Sequence, residues 1–403
     1  MTGVDGVPGE GRTGRLLPGD DDAPAQVAPV PLGGIRVALV HDWLTGMRGG
    51  ERVLEVLCRM FPDASLHTLL HVPGSVSAAI ERHRPQTSFL QHVPAVGRLY
   101  RHLLPLYPLA IERLDVGDVD LVISTSSCAA KSIPTRPGTR HLCYCFTPVR
   151  YAWDQFDAYF GPERVGRVPS AILRRLLDRF ARWDQRTSIR PDRYVAISQY
   201  VARRIGRYYN RRSAVVYPPV DTSYFTPDGS RREKFALVVS ALVPYKRVDV
   251  AVAACRAVGI PLRVVGRGPE ARGLSRLGGP GVEFLGALPD AEVRDLYRRA
   301  AVVLLPGEED FGLVPVEAQA CGAPVVAFGR GGATETVVDG TTGALTAEGE
   351  DAFAAGIRRV LDQPPGAAAC RRQAERFSTE RFVQELTDAV RDVIEAAPEA
   401  VRW

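Results

Sequence analysis

Two carboxylates in the carboxyl-terminal half, Glu309 and Glu317, stand eight positions apart around a helix start predicted near Leu313. The start of a helix offers backbone N–H groups without partners and the positive end of the helix dipole, and both favour phosphate groups. Gly312, just before it, would let the backbone approach a ligand closely. This spacing suits hydroxyl-rich groups on either side of a diphosphate. The alternative is an ordinary turn with two solvated glutamates.

A lysine is a more informative indicator of function than an arginine in this sequence, because lysine is scarce. Lys131, Lys234 and Lys246 are the only lysines, so 51 − 3 = 48 of the basic residues are arginines. With such a skew, clusters of arginine are weak indicators of function. A single lysine close to a predicted phosphate site is a stronger one.

The cysteines and histidines do not predict a metal site. The seven cysteines form no Cys-x-x-Cys pair and are irregularly spaced, which favours a reducing cytoplasm over a disulfide framework. Cys143 and Cys145 are expected to be alternate residues of a buried strand. His67 and His71 could share a helix face, but no carboxylate follows at ligand spacing, so we interpret both as structural.

Short apolar runs alternate with helical patterns, which is typical of parallel sheets covered by helices on both faces. The runs that predict strands are 35–41, 119–125, 140–145, 194–198, 235–241, 262–266, 282–286, 301–305 and 324–328. The proline-containing segment 215–221 predicts a linker between two α/β domains. Pro315 suits the first turn of the helix near Leu313, and Gly322 suits the position just past its end.

The predicted organisation is therefore two Rossmann-like, doubly wound domains that face each other across a cleft. We expect a flexible tail over 1–34, domains over 35–217 and 218–380, and a helix over 381–403 that could cross back to the first domain. Ligands of open parallel sheets bind beyond the carboxyl ends of the strands, so the cleft is the expected active site.

Composition excludes several classes of protein. Of the 403 residues, 45% are hydrophobic and 24% are charged, which is the balance of a globular chain and not of a disordered one. No uncharged apolar run reaches the roughly 18 residues of a membrane-spanning helix. A net charge of +5 does not indicate a nucleic-acid partner.

Several motifs together resemble the family 4 retaining glycosyltransferases of the GT-B fold, over about residues 35–360. The motifs of the carboxyl-terminal half are Glu309-x7-Glu317 with Phe311-Gly312, the segment 240–247, Gly266-Arg267-Gly268-Pro269, and the glycine-rich segment 331–345. The amino-terminal half resembles the O-antigen-type mannosyltransferases. Its motifs are His41-Asp42-Trp43-Leu44-Thr45, Gly49-Gly50-Glu51 and Arg150-Tyr151-x-Trp153-Asp154.

The resemblance implies a role for each matched residue. Glu309 would contact the transferred sugar, and Glu317 would bind the hydroxyls of the nucleotide ribose. Lys246 would stabilise the charge that grows on the departing diphosphate. Glu309 and Lys246 are the implied catalytic residues. The implied donor-binding residues are Gly49, Gly50, Arg247, Gly266, Arg267, Gly268, Phe311, Gly312, Leu313 and Glu317. The alternatives are a surface role for Arg247 and a tight turn at Gly49 and Gly50.

Two positions depart from the family pattern. Ala241 stands where family members usually carry an arginine, so the diphosphate would depend on Lys246 with Arg247 or Arg267. Phe146 stands in the segment where the family often has a histidine. These departures leave slower chemistry, a different acceptor or loss of activity as alternatives.

The resemblance implies transfer with retention of anomeric configuration, in which the departing phosphate takes the proton of the acceptor. We expect GDP-mannose as the donor, with a UDP-sugar as the alternative, and no metal or other cofactor because no Asp-x-Asp motif ends a strand. A non-catalytic protein that binds sugar nucleotides is a second interpretation. A nicotinamide-dependent dehydrogenase is disfavoured because no full Gly-x-Gly-x-x-Gly follows the first strand.

The expected acceptor is a saccharide or a polyprenyl-linked saccharide, and Asp42 is expected to face it. The stretch 171–183 predicts a helix with an apolar face surrounded by arginines, which is typical of a helix that lies on anionic lipid. A surface helix packed on the core is the favoured alternative. The expected location is the cytoplasm, at the inner face of the plasma membrane if the lipid interpretation holds.

Overall fold

The computed structural model describes residues 27–31 and 33–396, which form two compact units. The carboxyl-terminal unit is Val220–Phe377. The amino-terminal unit comprises the described residues up to Pro219 and those from Ser378 onward. Most of the tail predicted over 1–34, and the end of the helix predicted over 381–403, lie outside the described residues. Within the described ranges no helix has the length and apolarity to span a membrane.

The amino-terminal unit is built on a parallel sheet. Its strands are β1 (Val37–His41), β2 (Ser65–Thr68), β3 (Gln86–Thr87), β4 (Leu121–Ser126), β5 (Arg140–Cys145), β6 (Arg193–Ala196) and β7 (Ser213–Val215). The spatial order is β3-β2-β1-β4-β5-β6-β7. The order reverses beside β1, which makes the sheet doubly wound.

Helices connect these strands. They are α1 (Gly49–Met60), α2 (Ala78–Glu81), α3 (Val96–Leu99), α4 (Tyr107–Glu112), α5 (Arg150–Trp153), α6 (Phe156–Phe160), α7 (Pro162–Val165), α8 (Arg167–Thr187) and α9 (Gln199–Tyr209). Short 3-10 helices lie at Phe89–His92, Tyr100–Leu106 and Ala130–Ser132. In α1, the apolar residues Val53, Leu54 and Leu57 are buried.

The carboxyl-terminal unit repeats this architecture with a different sequence. Its strands are β8 (Glu233–Val239), β9 (Leu262–Val265), β10 (Val282–Gly286), β11 (Ala300–Leu305), β12 (Val325–Phe328) and β13 (Gly343–Thr346), in the order β10-β9-β8-β11-β12-β13. Its helices are α10 (Val248–Val258), α11 (Ala271–Gly278), α12 (Asp290–Arg299), α13 (Leu313–Ala320), α14 (Ala333–Thr336), α15 (Glu350–Asp362) and α16 (Ala367–Glu375), with a 3-10 helix at Pro244–Lys246.

The last helix, α17 (Thr379–Glu395), belongs to the amino-terminal unit. The ring of Phe382 packs edge-on against Tyr144 of β5, with 5.6 Å between the ring centroids. Leu386 and Val390 extend the same buried stripe. Burial of this apolar face is the reason that a helix so distant in sequence returns to the first sheet.

The predicted α/β fold with two doubly wound sheets is confirmed. Each of the nine apolar runs overlaps an observed strand, and Cys143 and Cys145 are buried alternate residues of β5, as expected. Four strands were not predicted, namely β2, β3, β7 and β13, because these short strands contain polar or small residues that interrupt an apolar run. The suggestion that His67 lies on a helix is wrong, since the short segment around it pairs with β1 as strand β2.

Candidate active site

The predicted catalytic residues meet at the carboxyl ends of the central strands of the second sheet. Lys246 follows β8 and Glu309 follows β11, and these two parallel strands are neighbours at the place where the strand order reverses. The Lys246 ammonium donates a hydrogen bond to Glu309 Oε1, and the two side chains are only 17% and 16% exposed. The structure therefore brings a largely buried cation and carboxylate together where ligands of doubly wound sheets bind.

Glycines let the loops around this pair come close together. A Cβ atom at Gly307 would lie 2.8 Å from the Cα of Lys246, and one at Gly331 would lie 2.2 Å from the carbonyl oxygen of Glu309. The N–H of Gly332 donates to that carbonyl oxygen at 2.8 Å. No other residue type fits such distances, so these glycines fix the backbone of Glu309.

The segment Gly266-Arg267-Gly268 follows β9 at the same edge of the sheet. A Cβ atom at Gly268 would lie 2.2 Å from the carbonyl oxygen of Leu242, and the N–H of Leu242 donates to the Arg267 carbonyl at 2.9 Å. Gly266 has a φ of 139°, in the range that favours glycine. Arg267 is exposed. Loops that follow two neighbouring strands are thus packed backbone to backbone beside Lys246.

Helix α13 begins at Leu313, as predicted, with Gly312 before it at a φ of 92°. Pro315 is buried in the first turn, and Gly322 lies just past the end with a φ of 80°. The ring of Phe311 is buried and packs on Phe377, with 5.4 Å between centroids. Any contact of Phe311 with a donor must therefore come from its backbone.

Glu317 lies on α13, where its Oε2 accepts a hydrogen bond of 3.0 Å from the hydroxyl of Tyr297 on α12. No motif in the sequence points to this tyrosine. Burial raises the pKa of Tyr297 well above its ordinary value, and the Glu317 carboxylate raises the same pKa further. The phenol is therefore neutral and acts as a hydrogen-bond donor.

Arg247 has carboxylate partners of its own. Its guanidinium lies 3.2 Å from Asp249 and 3.4 Å from Glu348, and its backbone φ of 50° is unusual for a residue with a side chain. A phosphate contact by Arg247 stays a prediction. Ala241 is exposed in the loop after β8, so the residue that replaces the usual arginine adds no positive charge there.

In the amino-terminal unit, Gly49 and Gly50 are the first two residues of α1. A Cβ atom at Gly50 would lie 3.2 Å from the ring of Phe146 and 3.6 Å from that of His41. His41 is buried, and its Nδ1 lies 2.7 Å from the hydroxyl of Thr125. The first turn of α1 is thus held against aromatic side chains at the carboxyl ends of β1 and β5.

The interpretation of Asp42 as a residue that faces an acceptor is wrong. Its buried carboxylate accepts hydrogen bonds from the N–H groups of Ser127, Ala129 and Ala130 at 2.6, 2.7 and 2.7 Å, and from the hydroxyl of Ser127 at 3.0 Å. A buried carboxylate needs hydrogen-bond donors around it, and the loop after β4 supplies them. Asp42 therefore fixes the backbone after β4.

The motif Arg150–Asp154 is also tied into the structure. Trp153 donates its indole N–H to Asp184 Oδ2 at 2.9 Å, and Asp154 forms an ion pair with Arg204. Asp184 is fully buried, and its Oδ1 lies 2.9 Å from the ammonium of Lys131. Sequence analysis missed this buried pair because nothing in the spacing links positions 131 and 184.

Two family models match the chain in succession. The model for Glycosyltransferase Family 4 matches residues 47–224, and the model for Glycosyl transferases group 1 matches residues 225–377. The second match ends where the carboxyl-terminal unit ends.

Curated relatives include D-inositol 3-phosphate glycosyltransferases. That of Mycolicibacterium smegmatis is 34% identical over an alignment of 225 positions that covers 48% of this chain and 51% of the relative. That of Geodermatophilus obscurus is 39% identical over an alignment of 235 positions that covers 49% of this chain and 52% of the relative. The chain spans about half the length of the curated relatives it matches.

Solved structures share the fold at low sequence identity. Sucrose-phosphate synthase from Thermosynechococcus elongatus has a TM-score of 0.68 and 16% identity, over 90% of this chain and 100% of that one. Anabaena Alr3699/HepE in complex with UDP has a TM-score of 0.63 and 18% identity, over 88% and 99%. With two doubly wound sheets and two consecutive family matches, the chain belongs to the family 4 glycosyltransferases and has the GT-B fold.

Proposed function

We propose that this protein is a retaining hexosyltransferase that moves a sugar from a nucleoside diphosphate to an acceptor hydroxyl. The observation that supports this function is the contact between Lys246 and Glu309 where the strand order reverses between β8 and β11. The start of α13 follows in the same loop and adds backbone N–H groups and the positive end of a dipole.

In the proposed reaction, the bond between the anomeric carbon and the diphosphate oxygen breaks as the acceptor oxygen attacks from the same face. The acceptor proton passes to the departing phosphate oxygen. Lys246 and the first N–H groups of α13 stabilise the charge that grows on the diphosphate, while Glu309 accepts hydrogen bonds from the sugar hydroxyls. This set of positive groups supplies the charge stabilisation that a divalent cation would otherwise provide.

GDP-mannose is the proposed donor, on the resemblance of the amino-terminal motifs to mannosyltransferases. A UDP-sugar is the second candidate, because a GT-B neighbour has been solved with UDP and with UDP-glucose. For the acceptor, a saccharide or polyprenyl-linked saccharide is proposed. The names of the relatives add a phosphorylated polyol as a second class.

The test is a panel of GDP-mannose, UDP-glucose and UDP-N-acetylglucosamine, incubated with the protein with and without acceptors. Release of nucleoside diphosphate is measured, and the anomeric configuration of the product is read by NMR. The proposal expects one donor to be consumed well above the rate without protein, with retention. Binding without turnover of any donor would support the non-catalytic interpretation, which Phe146 and Ala241 motivate.

We also propose that α8 contacts an anionic membrane surface. Val168, Ile172 and Leu176 follow one another at a spacing of four on this helix and are 71%, 54% and 44% exposed. Arg175 and Arg179 are exposed on the same helix. An exposed apolar stripe with neighbouring cations suits the boundary between lipid headgroups and acyl chains.

Flotation with vesicles tests this contact. The protein is expected to bind vesicles rich in phosphatidylglycerol and not those of phosphatidylcholine alone, and the double variant Ile172→Ser/Leu176→Ser should lose binding. Leu277→Ser is the matched control, because Leu277 is equally exposed (44%) on α11 of the other unit. Unchanged binding of the double variant would contradict the role of α8.

A further inference from the structure

The carboxylate of Glu317 has a hydrogen-bond partner from the neighbouring helix. The hydroxyl of Tyr297, on α12, lies 3.0 Å from Glu317 Oε2, on α13. Tyr297 has no exposed surface, whereas Glu317 is partly exposed. A buried neutral donor therefore contacts one oxygen of a carboxylate whose residue is partly exposed.

The phenol has little freedom to turn away from this contact. Its ring packs against that of Phe225, with 6.0 Å between centroids and 63° between the ring planes. Phe225 is itself buried and is held by a hydrogen bond of 2.9 Å from its N–H to the Asp221 carbonyl. Burial and this aromatic neighbour restrict the directions in which Tyr297 can present its hydroxyl.

A carboxylate can accept several hydrogen bonds, so a phenol on one oxygen is compatible with hydroxyl donors at the same group. The phenol restricts the rotamers that the Glu317 side chain can adopt, so its removal would leave a ligand to select among more of them. Pre-organisation of this kind raises affinity because less side-chain entropy is lost on binding.

We infer that Tyr297 is a positioning residue, which holds the carboxylate of Glu317 in the orientation that accepts the 2′- and 3′-hydroxyls of the donor ribose. This inference rests on the proposed function, in which Glu317 contacts the ribose. A tyrosine that served only to pack α12 against α13 would affect stability and not the recognition of the ribose.

The experiment compares ribose with deoxyribose. Calorimetry gives the dissociation constants of UDP, GDP and their 2′-deoxy forms for the wild type, Tyr297→Phe and Glu317→Gln. Tyr194→Phe is the matched control, because the buried Tyr194 also donates its hydroxyl, to the Ser188 carbonyl at 3.0 Å, but in the other unit. Melting temperatures confirm that each variant is folded.

We expect the wild type and the Tyr194→Phe control to bind the ribonucleotide at least about tenfold more tightly than the deoxynucleotide. In Tyr297→Phe this preference should fall by about threefold or more. In the Glu317→Gln background, a further Tyr297→Phe change should leave the preference unaltered, because the contact that carries the effect is already weakened.

The two possible failures are distinguishable. A wild type that prefers ribose, together with a Tyr297→Phe protein that keeps the whole preference, would overturn the role of Tyr297 and leave the proposed function standing. A wild type with no preference would overturn the ribose contact of Glu317 itself. If Tyr297→Phe does not fold, Glu317→Gln provides the test. A preference for ribose that is unchanged in Glu317→Gln would overturn the ribose contact of Glu317, and with it the role of Tyr297.

Discussion

Lys246 and Glu309 form an ion pair at the candidate active site. The ammonium and the carboxylate are in contact, and both side chains are largely buried. A bound diphosphate would offer Lys246 a more highly charged partner, and sugar hydroxyls would offer Glu309 new donors. Donor binding on this account exchanges partners between charged groups that the fold has already placed.

Glu309→Gln should separate binding from chemistry. The variant is expected to bind nucleoside diphosphate within about threefold of the wild type, because Lys246 and the α13 start remain, while kcat falls by about 100-fold or more. Calorimetry and steady-state kinetics measure the two effects. Glu292→Gln, an exposed glutamate on α12, is the control and should leave both unchanged. A Glu309→Gln enzyme with normal kcat would refute the assignment.

His141 makes stability depend on pH. Burial, with the nearby charges of Lys131 and Arg190, lowers the pKa of this histidine from 6.5 to about 3. Between these values the unfolded chain binds a proton that the folded protein excludes, so stability falls as the pH drops below 6.5. From pH 7 to pH 5 the loss should be about 2 kcal/mol for this group.

Chemical denaturation at pH 7 and pH 5 checks this expectation. His141→Gln keeps a polar group near Ser124, which lies 2.8 Å from Nε2 of the histidine, and should reduce the pH-dependent loss. The exposed His102→Gln is the control and should retain it. An equal loss in the wild type and His141→Gln would show that other groups carry the effect.

The contact of Lys246 with Glu309 is within reach of sequence analysis, because both residues follow strand-like runs and parallel strands end at one edge. The hydrogen-bond partners of Glu317 and Asp42 cannot be predicted from the sequence. Tyr297 lies 20 positions from Glu317, and the loop that surrounds Asp42 lies 85 to 88 positions away. Neither partner belongs to a motif or periodic pattern, so only the packed structure reveals them.

At the scale of elements, the site depends on loops that approach one another without side chains between them. The glycines at 268, 307, 331 and 332 each leave a position where a Cβ atom would lie between 2.2 and 2.6 Å from backbone. Since real Cβ atoms do not approach so closely, any side chain there must push two loops apart.

Gly268→Ala tests this dependence. Its Cβ would lie 2.2 Å from the Leu242 carbonyl, so the loops after β8 and β9 must separate, and nucleotide affinity should fall about tenfold or more. Gly273→Ala is the control, because nothing lies within 4 Å of its Cβ position on α11. That change should stabilise the protein by up to about 1 kcal/mol. Equal affinities would show that the approach of the loops is not needed.

The elements of both sheets are predictable where they are long and apolar. Strands such as β4 are buried along their whole length, so they read as continuous apolar or small-residue runs. The missed strand β3 has only two residues, Gln86 and Thr87, and it forms by pairing with β2 at the edge of the sheet. Its existence depends on its neighbour and not on its own sequence.

The whole molecule consists of two units between which the chain crosses twice. The crossings lie after Pro219 and after Phe377, and the N–H of Val220 donates to the Phe377 carbonyl at 3.0 Å. The alternation of apolar runs and helices predicts two such units, because parallel strands require helical crossovers. The identity of the sugar and of the acceptor depends on loop side chains, which follow no period that a sequence pattern could display.

We expect Lys246 to bind the diphosphate of a sugar nucleotide. Calorimetry of UDP and GDP with the wild type, Lys246→Ala and the exposed control Lys234→Ala tests it most directly. At least one nucleotide should bind the wild type and Lys234→Ala with equal affinity, and bind Lys246→Ala about tenfold or more weakly, as expected for loss of a charged contact. Full-strength binding by Lys246→Ala, or no binding by the wild type, would contradict the account.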